Sequence, residues 1–178
     1  MIRAIIFDWG GVLIDNPIDE LLAYFAEALH VSPGDLATAY SHYQSSFYKG
    51  LISEKEFTES LCRKLNTPLP DFNALWKTAV QTVFKEKQTV FDIIIRLRAN
   101  GYKTALLSNT EVPTVDYYYE KHYDRYFDEA VFSCYENMAK PDPEIYLLTL
   151  NRLNVKATEA LFIDDRIENI EGAERVGI

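Results

Sequence analysis

Cysteine is scarce in this chain: two among 178 residues, Cys62 and Cys134, with no CxxC pairing. That spacing excludes a disulfide-stapled scaffold, and two distant free thiols suit a reducing compartment. His30, His42 and His122 are scattered, so no zinc site can be read from them. Long apolar runs are also missing. Arg3 is followed by only Ala4 to Phe7 before Asp8 interrupts, too short for a secretory h-region, and no stretch approaches transmembrane length. The chain therefore reads as cytoplasmic, with no membrane partner. Basic residues are outnumbered, 18 Lys and Arg against 27 Asp and Glu, for a net charge of −9 and a pI near 4.8. An acidic surface repels phosphate backbones and argues against nucleic acid as a partner; solubility is its ordinary use. Repeats and low-complexity segments are absent.

What is present suits a globular fold. A hydrophobic share of 48% is ample for one compact domain, or for a core domain carrying a small insert. Ala4 to Phe7 is a short continuous apolar run that predicts a strand buried on both faces. Thr104 to Leu107, Ala130 to Phe132 and Leu161 to Ile163 repeat that pattern. Helical spacing lies between them: Val90, Phe91, Ile94, Ile95 and Leu97 before the second strand, and Tyr146, Leu150 and Leu153 before the fourth. Strands alternating with helices predict a doubly wound parallel α/β sheet.

One interval breaks the alternation. From Pro17 to Lys87 only helical patterns occur. Leu21, Leu22, Phe25 and Leu29 make one apolar face, and Ser32 with Asp35 and Ser53 with Glu56 have the spacing of capping boxes. Pro33 falls at a first helical position. About four helices thus interrupt the core after its first strand. The expected organisation is a core of residues 1–16 and 88–178 with a helical cap at 17–87. The tyrosine-rich run "VDYYYEKHYDRYF" predicts a partly buried amphipathic helix rather than a stacking surface.

Polar signals fall at the carboxyl ends of successive predicted strands. Asp8 ends the first in "FDWGGVL", Ser108 and Asn109 end the second, and Asp164 and Asp165 end the fourth in "FIDDRIEN". In parallel α/β sheets, ligands bind at that edge. Lys140 joins them from "AKPDPEIY", before a helix begun by Asp142 and Pro143. Singly, each is explained by a turn or a cap; four in order on one sheet edge are not. A carboxylate nucleophile splits ester hydrolysis into two easier steps, and Asp8 stands where one is needed. Three aspartates around one point call for a hard cation, and Mg²⁺ suits an all-oxygen donor set.

With these residues the sequence resembles the haloacid dehalogenase superfamily, mostly Mg²⁺-dependent phosphatases that pass through an aspartyl-phosphate. The resemblance runs over nearly the whole chain. Together, "DWGG", "SNT", "KPDPEIY" and "FIDDxxxNxxGA" are similar to a subgroup acting on small sugar phosphates, glucose 1-phosphate among them. It implies a Rossmann-like core with a helical cap, and a small phosphorylated metabolite as partner. It also implies Asp8 as nucleophile, and Asp8, the Gly10 carbonyl and Asp165 as inner metal ligands. Asp164 and Asn169 would orient metal-bound water, with the roles of the two aspartates open to exchange. Ser108, Asn109 and Lys140 would bind the phosphate oxygens. Lys49, before the Ser53 box, is expected either to reach the substrate from the cap or to remain a solvated lysine.

Two departures from the family pattern stand out. Most phosphatases of the superfamily carry a general-acid aspartate two residues after the nucleophile, where this chain has Gly10. General acid–base help is commonly worth ~10²–10⁴-fold, so the rival expectation is a phosphate-binding regulatory protein with impaired turnover. A metal-independent dehalogenase is disfavoured, because uncompensated charge on Asp164 and Asp165 would oppose the nucleophile. The second departure is the end of the sequence at "ERVGI", where the family continues into a further strand and helix. An edge strand left uncovered there would invite pairing, consistent with a monomer or weak dimer.

Overall fold

The computed structural model describes residues 1–178, the side chains of Phe72 and Asn73 excepted. Four parallel strands, β1 (Ala4–Phe7), β2 (Lys103–Ser108), β3 (Glu129–Phe132) and β4 (Ala160–Ile163), form one sheet in the order β3-β2-β1-β4. From β1 the chain steps through β2 to β3 on one side, then crosses back to lay β4 against the other side of β1. This places a crevice at the carboxyl end of β1, where parallel sheets take their ligands.

Alternation along the strands sorts the core into two layers. Ile5, Phe7 and Leu106 face α5 (Gln88–Ala99) and α6 (Val112–Glu120). Ala4, Ile6, Ala105, Leu107 and Phe162 face α8 (Pro143–Leu153) and α9 (Ile167–Arg175). A short α7 (Ser133–Glu136) follows β3. The tyrosine-rich run forms α6 and the turn after it, with Tyr117, Tyr118 and Tyr123 buried and Tyr119 exposed, as an amphipathic helix requires.

The strand predicted from Leu161 to Ile163 differs in burial from the other three. Leu161 and Ile163 are exposed, because β4 lies at the sheet edge and both point to the face that α5 covers only over the central strands. Ile95, expected on the apolar face of α5, is also exposed, while Phe91 and Ile94 carry the packing.

Four helices fill the interval after β1: α1 (Ile18–Ala28), α2 (Pro33–Tyr48), α3 (Glu54–Leu65) and α4 (Phe72–Val83). Their caps read largely as the residues suggest. Ser53 and Glu56 form the reciprocal box, with Glu56 N–H donating to Ser53 Oγ at 3.2 Å and Ser53 N–H to Glu56 Oε2 at 2.8 Å. Ser32 accepts from Asp35 N–H at 3.1 Å, but the shorter Asp35 carboxylate takes the Ser32 hydroxyl rather than its backbone N–H. The apolar interior of these helices, including Phe25, Leu36, Phe57 and Trp76, is continuous with the sheet face holding Phe7 and Phe91.

The chain enters and leaves the four helices side by side. Asp15 N–H donates to the Lys85 carbonyl at 3.0 Å, and Lys87 N–H donates to the Leu13 carbonyl at 2.9 Å. A parallel bridge between Gly10 and Ile14 extends this narrow ribbon to the loop after β1.

Candidate active site

Asp8 continues the β1 ladder through its N–H to the Ile163 carbonyl at 2.9 Å, then turns its side chain into the crevice. Its Oδ1 accepts from Trp9 N–H at 2.7 Å and from Lys140 Nζ at 2.8 Å. Lys140 is fully buried and also donates to Asp164 Oδ2 at 2.6 Å, with its ammonium 5.3 Å from the centre of the Phe162 ring. The loop carrying it is fixed by Asn109. That side-chain amide donates to the Lys140 carbonyl and accepts from the Lys140 N–H, both at 2.8 Å. Ser108, at the end of β2, lines the same cavity and is 3% exposed.

The two aspartates after β4 differ. Asp164 is enclosed, with both carboxylate oxygens engaged: besides Lys140, it accepts from Arg166 N–H at 2.9 Å and from Asn169 Nδ2 at 2.9 and 3.0 Å. Asp165 is exposed, and its one side-chain partner is Asn16 Nδ2 at 3.2 Å. Carboxylate oxygens of Asp8, Asp164 and Asp165 lie within 4.8 Å of one another. Gly11 makes this approach possible. Its φ of +78° lies in the left-handed region, and a Cβ there would overlap the Asp165 carboxylate. Gly10 needs no such backbone; a Cβ on it would meet only Pro17 Cδ at 3.4 Å.

Burial pushes the Asp8 carboxyl up to about 6, Asp164 adds to the rise, and Lys140 and the Trp9 N–H oppose it. One ammonium thus faces a group of three carboxyls, and the donor set is all oxygen. A hard divalent cation fits that set and that charge deficit.

The cavity holds about 310 Å³, within the range of small-ligand sites. Its inner end is built from Asp8, Ser108, Asn109 and Lys140. Leu21 and Gln44 and Tyr48 of α2 close it from the helical insert, with Trp9, Phe84, Glu111 and Arg166 completing the wall. A larger depression of about 580 Å³ lies beside α3 and α7, and none of the motif residues lines it.

Most residues singled out from sequence therefore converge: Asp8, Gly10, Ser108, Asn109, Lys140, Asp165 and Asn169 border the cavity, and Asp164 touches Asp8 through Lys140. Lys49 does not border it; its ammonium pairs with Asp142 at 2.7 Å, across the seam between α2 and the start of α8. Asn16, Gln44, Tyr48, Glu111 and Arg166 are part of the site without having been expected there. Only Glu111 carried a readable signal, an acid three residues after Ser108 in the segment that leaves the same strand for α6.

Comparison with known proteins agrees with this geometry. A family model described as haloacid dehalogenase-like hydrolase matches residues 2–177. The mouse acyl-CoA dehydrogenase family member 10 is 32% identical over 99% of this chain, which spans 17% of that protein's length. The phosphorylated carbohydrates phosphatase of Thermotoga maritima is 29% identical over 99% of this chain and 82% of its own. Among solved structures, a HAD family enzyme from Bacteroides thetaiotaomicron superposes with a TM-score of 0.83 at 24% identity, covering 99% of this chain and 91% of its own. A family model matched end to end, a sheet of the same kind and a carboxylate crevice in the expected place lead to one conclusion: the chain belongs to the haloacid dehalogenase-like hydrolase family.

Proposed function

We propose that this chain is a Mg²⁺-dependent phosphatase acting on a small phosphorylated metabolite of the sugar-phosphate class, through a phosphoryl group carried on Asp8. The observation that carries the reading is the shared ammonium: Lys140 lies between Asp8 and Asp164 and holds the nucleophile's carboxylate in a fixed orientation. Asp8, the Gly10 carbonyl and Asp165 would hold the cation, which when bound neutralises charge on the phosphoryl oxygens. Asp165 suits a ligand's role because its carboxylate is exposed with a single amide partner, whereas the Asp164 oxygens are already taken.

An Asp8 oxygen attacks phosphorus, the bond to the ester oxygen breaks, and the departing alkoxide takes a proton from solvent. Water then attacks the phosphorus of the acyl phosphate and releases inorganic phosphate, restoring the carboxylate. Ser108 and Lys140 supply hydrogen bonds and charge to the non-bridging oxygens. Asn109 acts here mainly by clamping the backbone of Lys140. Lys49 serves to fasten the insert to the core through Asp142. The curated relatives include sugar-phosphate and polyol-phosphate phosphatases, among them a D-ribitol-5-phosphate phosphatase 27% identical to this chain. The B. thetaiotaomicron fold neighbour has been solved with magnesium and inorganic phosphate. Residues 17–87 form the cap of this enzyme and 1–16 with 88–178 its core.

A second reading is favoured by Gly10, which leaves the leaving-group oxygen without an adjacent acid: a phosphate-binding protein with little turnover. A panel of phosphate esters assayed with and without Mg²⁺ separates the two. Release of phosphate that needs Mg²⁺ and vanishes in Asp8→Asn supports the enzyme. Binding of phosphate esters with no release supports the second reading.

A further inference from the structure

Glu111 is the one carboxylic acid of the cavity that the phosphoryl chemistry leaves unused. It sits at the N-terminal boundary of α6, three residues beyond Ser108, is 4% exposed, and lines the same cavity as Asp8. A buried acid there has an ordinary explanation as a helix cap, but its side chain accepts no capping hydrogen bond from a backbone N–H of the first turn. Its carboxylate takes the Thr114 hydroxyl and, among the described residues, no cation. Burying an acid without a cation is costly, and a packed interior position would favour an apolar residue. The wall that α2 contributes to the same cavity is itself polar. Tyr48 hydroxyl lies 3.4 Å from Tyr40 hydroxyl and takes a hydrogen bond from Gln44, and both Gln44 and Tyr48 line the cavity.

Resting on the phosphatase reading above, we propose that Glu111 selects the alcohol that leaves: it hydrogen-bonds a hydroxyl of a neutral, polyhydroxylated leaving group and turns away esters whose far end carries a second anion. A carboxylate accepts from hydroxyls and repels carboxylates and phosphates in a site of low dielectric. The groups around it do not cancel that charge. Tyr40 and Tyr48 from α2 and Cys134 from α7 are held neutral by burial, and Glu54 from α3 is a further acid. Arg166, also in the cavity wall, is exposed and paired with Glu168. Burial pushes the Glu111 carboxyl up to about 7, with Glu54 adding to the rise and the Thr114 hydroxyl opposing it. Discrimination against anions should therefore strengthen as pH rises through neutrality and Glu111 ionises.

The test uses pairs that differ only in CH₂OH against carboxylate: sorbitol 6-phosphate against 6-phosphogluconate, and D-glycerol 3-phosphate (the sn-1 isomer) against D-3-phosphoglycerate. The expected result for the wild type with Mg²⁺ is a kcat/KM ratio favouring the alcohol by about tenfold or more at pH 8.5 and falling severalfold by pH 6. Glu111→Gln, folded by circular dichroism, should lose both the preference and its pH dependence. A wild-type ratio that is flat with pH, or a Glu111→Gln ratio equal to wild type, overturns the proposal. If the wild type releases phosphate from none of these esters nor from p-nitrophenyl phosphate, the phosphatase reading is what fails. Calorimetric Kd values for the same pairs then decide the Glu111 proposal by the same two criteria.

Discussion

The Asp165 carboxylate occupies the space in which a side chain on residue 11 would begin. Two consecutive glycines follow Asp8 and Trp9, yet only the second is demanded by geometry. Gly11→Ala forces the backbone out of φ +78° or displaces Asp165. It should lower stability by about 1–2 kcal/mol and weaken Mg²⁺ binding at least tenfold. Gly10→Ala should leave the fold and the Mg²⁺ affinity near wild type. Denaturant titration and calorimetry on the two variants check this; equal behaviour would detach Asp165 from the loop.

Lys140 is the single cation buried against Asp8 and Asp164. Lys140→Met leaves two carboxyls facing each other without compensation, and removing one partner of a buried charged set typically costs about 3–5 kcal/mol. The loss should be largest at neutral pH in chelator and should shrink toward pH 5, where one carboxyl takes up a proton. A loss independent of pH would show that packing, not charge, is what the lysine provides.

Asp8 couples folding to pH in the opposite sense from most surface carboxylates. Folded, it keeps its proton up to about pH 6, against 3.8 for an unperturbed aspartate. The native state thus binds that proton more tightly. The group's contribution to stability is fully present at low pH and declines as pH rises between those values. Asp8→Asn cannot ionise. In chelator its stability relative to wild type should rise over that interval, by on the order of 1–3 kcal/mol. Thermal melts at several pH values with a constant offset between the two proteins would contradict this.

Gly10 is free to receive a side chain, since its backbone is not left-handed and Pro17 Cδ is the nearest neighbour at 3.4 Å. Wild-type kcat should rank aryl phosphates above anomeric sugar phosphates, and those above primary alkyl phosphates, following the basicity of the departing oxygen. Gly10→Asp should raise kcat for the alkyl ester at least tenfold more than for the aryl ester, within the range of ~10²–10⁴ that acid catalysis supplies. A wild-type rate indifferent to leaving-group pKa would mean that another group already delivers the proton.

The sheet, its helices and the four-helix insert were legible because each rests on local pattern: continuous apolar runs for buried strands, caps at Ser32 and Ser53, and carboxylates at strand ends. Exposure of Leu161 and Ile163 was not, because the run itself is the same whether a strand lies at the centre or the edge of a sheet. The inner end of the cavity, with Asp8, Ser108, Asn109 and Lys140, was legible for a related reason, as parallel strands deliver their termini to one edge. Gln44, Tyr48 and Arg166 were hidden because their place depends on how α2 and the loop before α9 pack over that edge. Lys49 shows the same limit: one residue beyond Tyr48, it faces Asp142 instead of the cavity.

The paired crossings at residues 13–15 and 85–87 tie the helical insert to the loop that follows Asp8. The ribbon ends at Lys87, whose ammonium holds the Gly11 carbonyl at 2.7 Å, and Ile14 bridges both Gly10 and Glu86. The stem of the insert and the Gly10–Gly11 turn are thus one hydrogen-bonded unit, and a hinge between them would have to break these bonds.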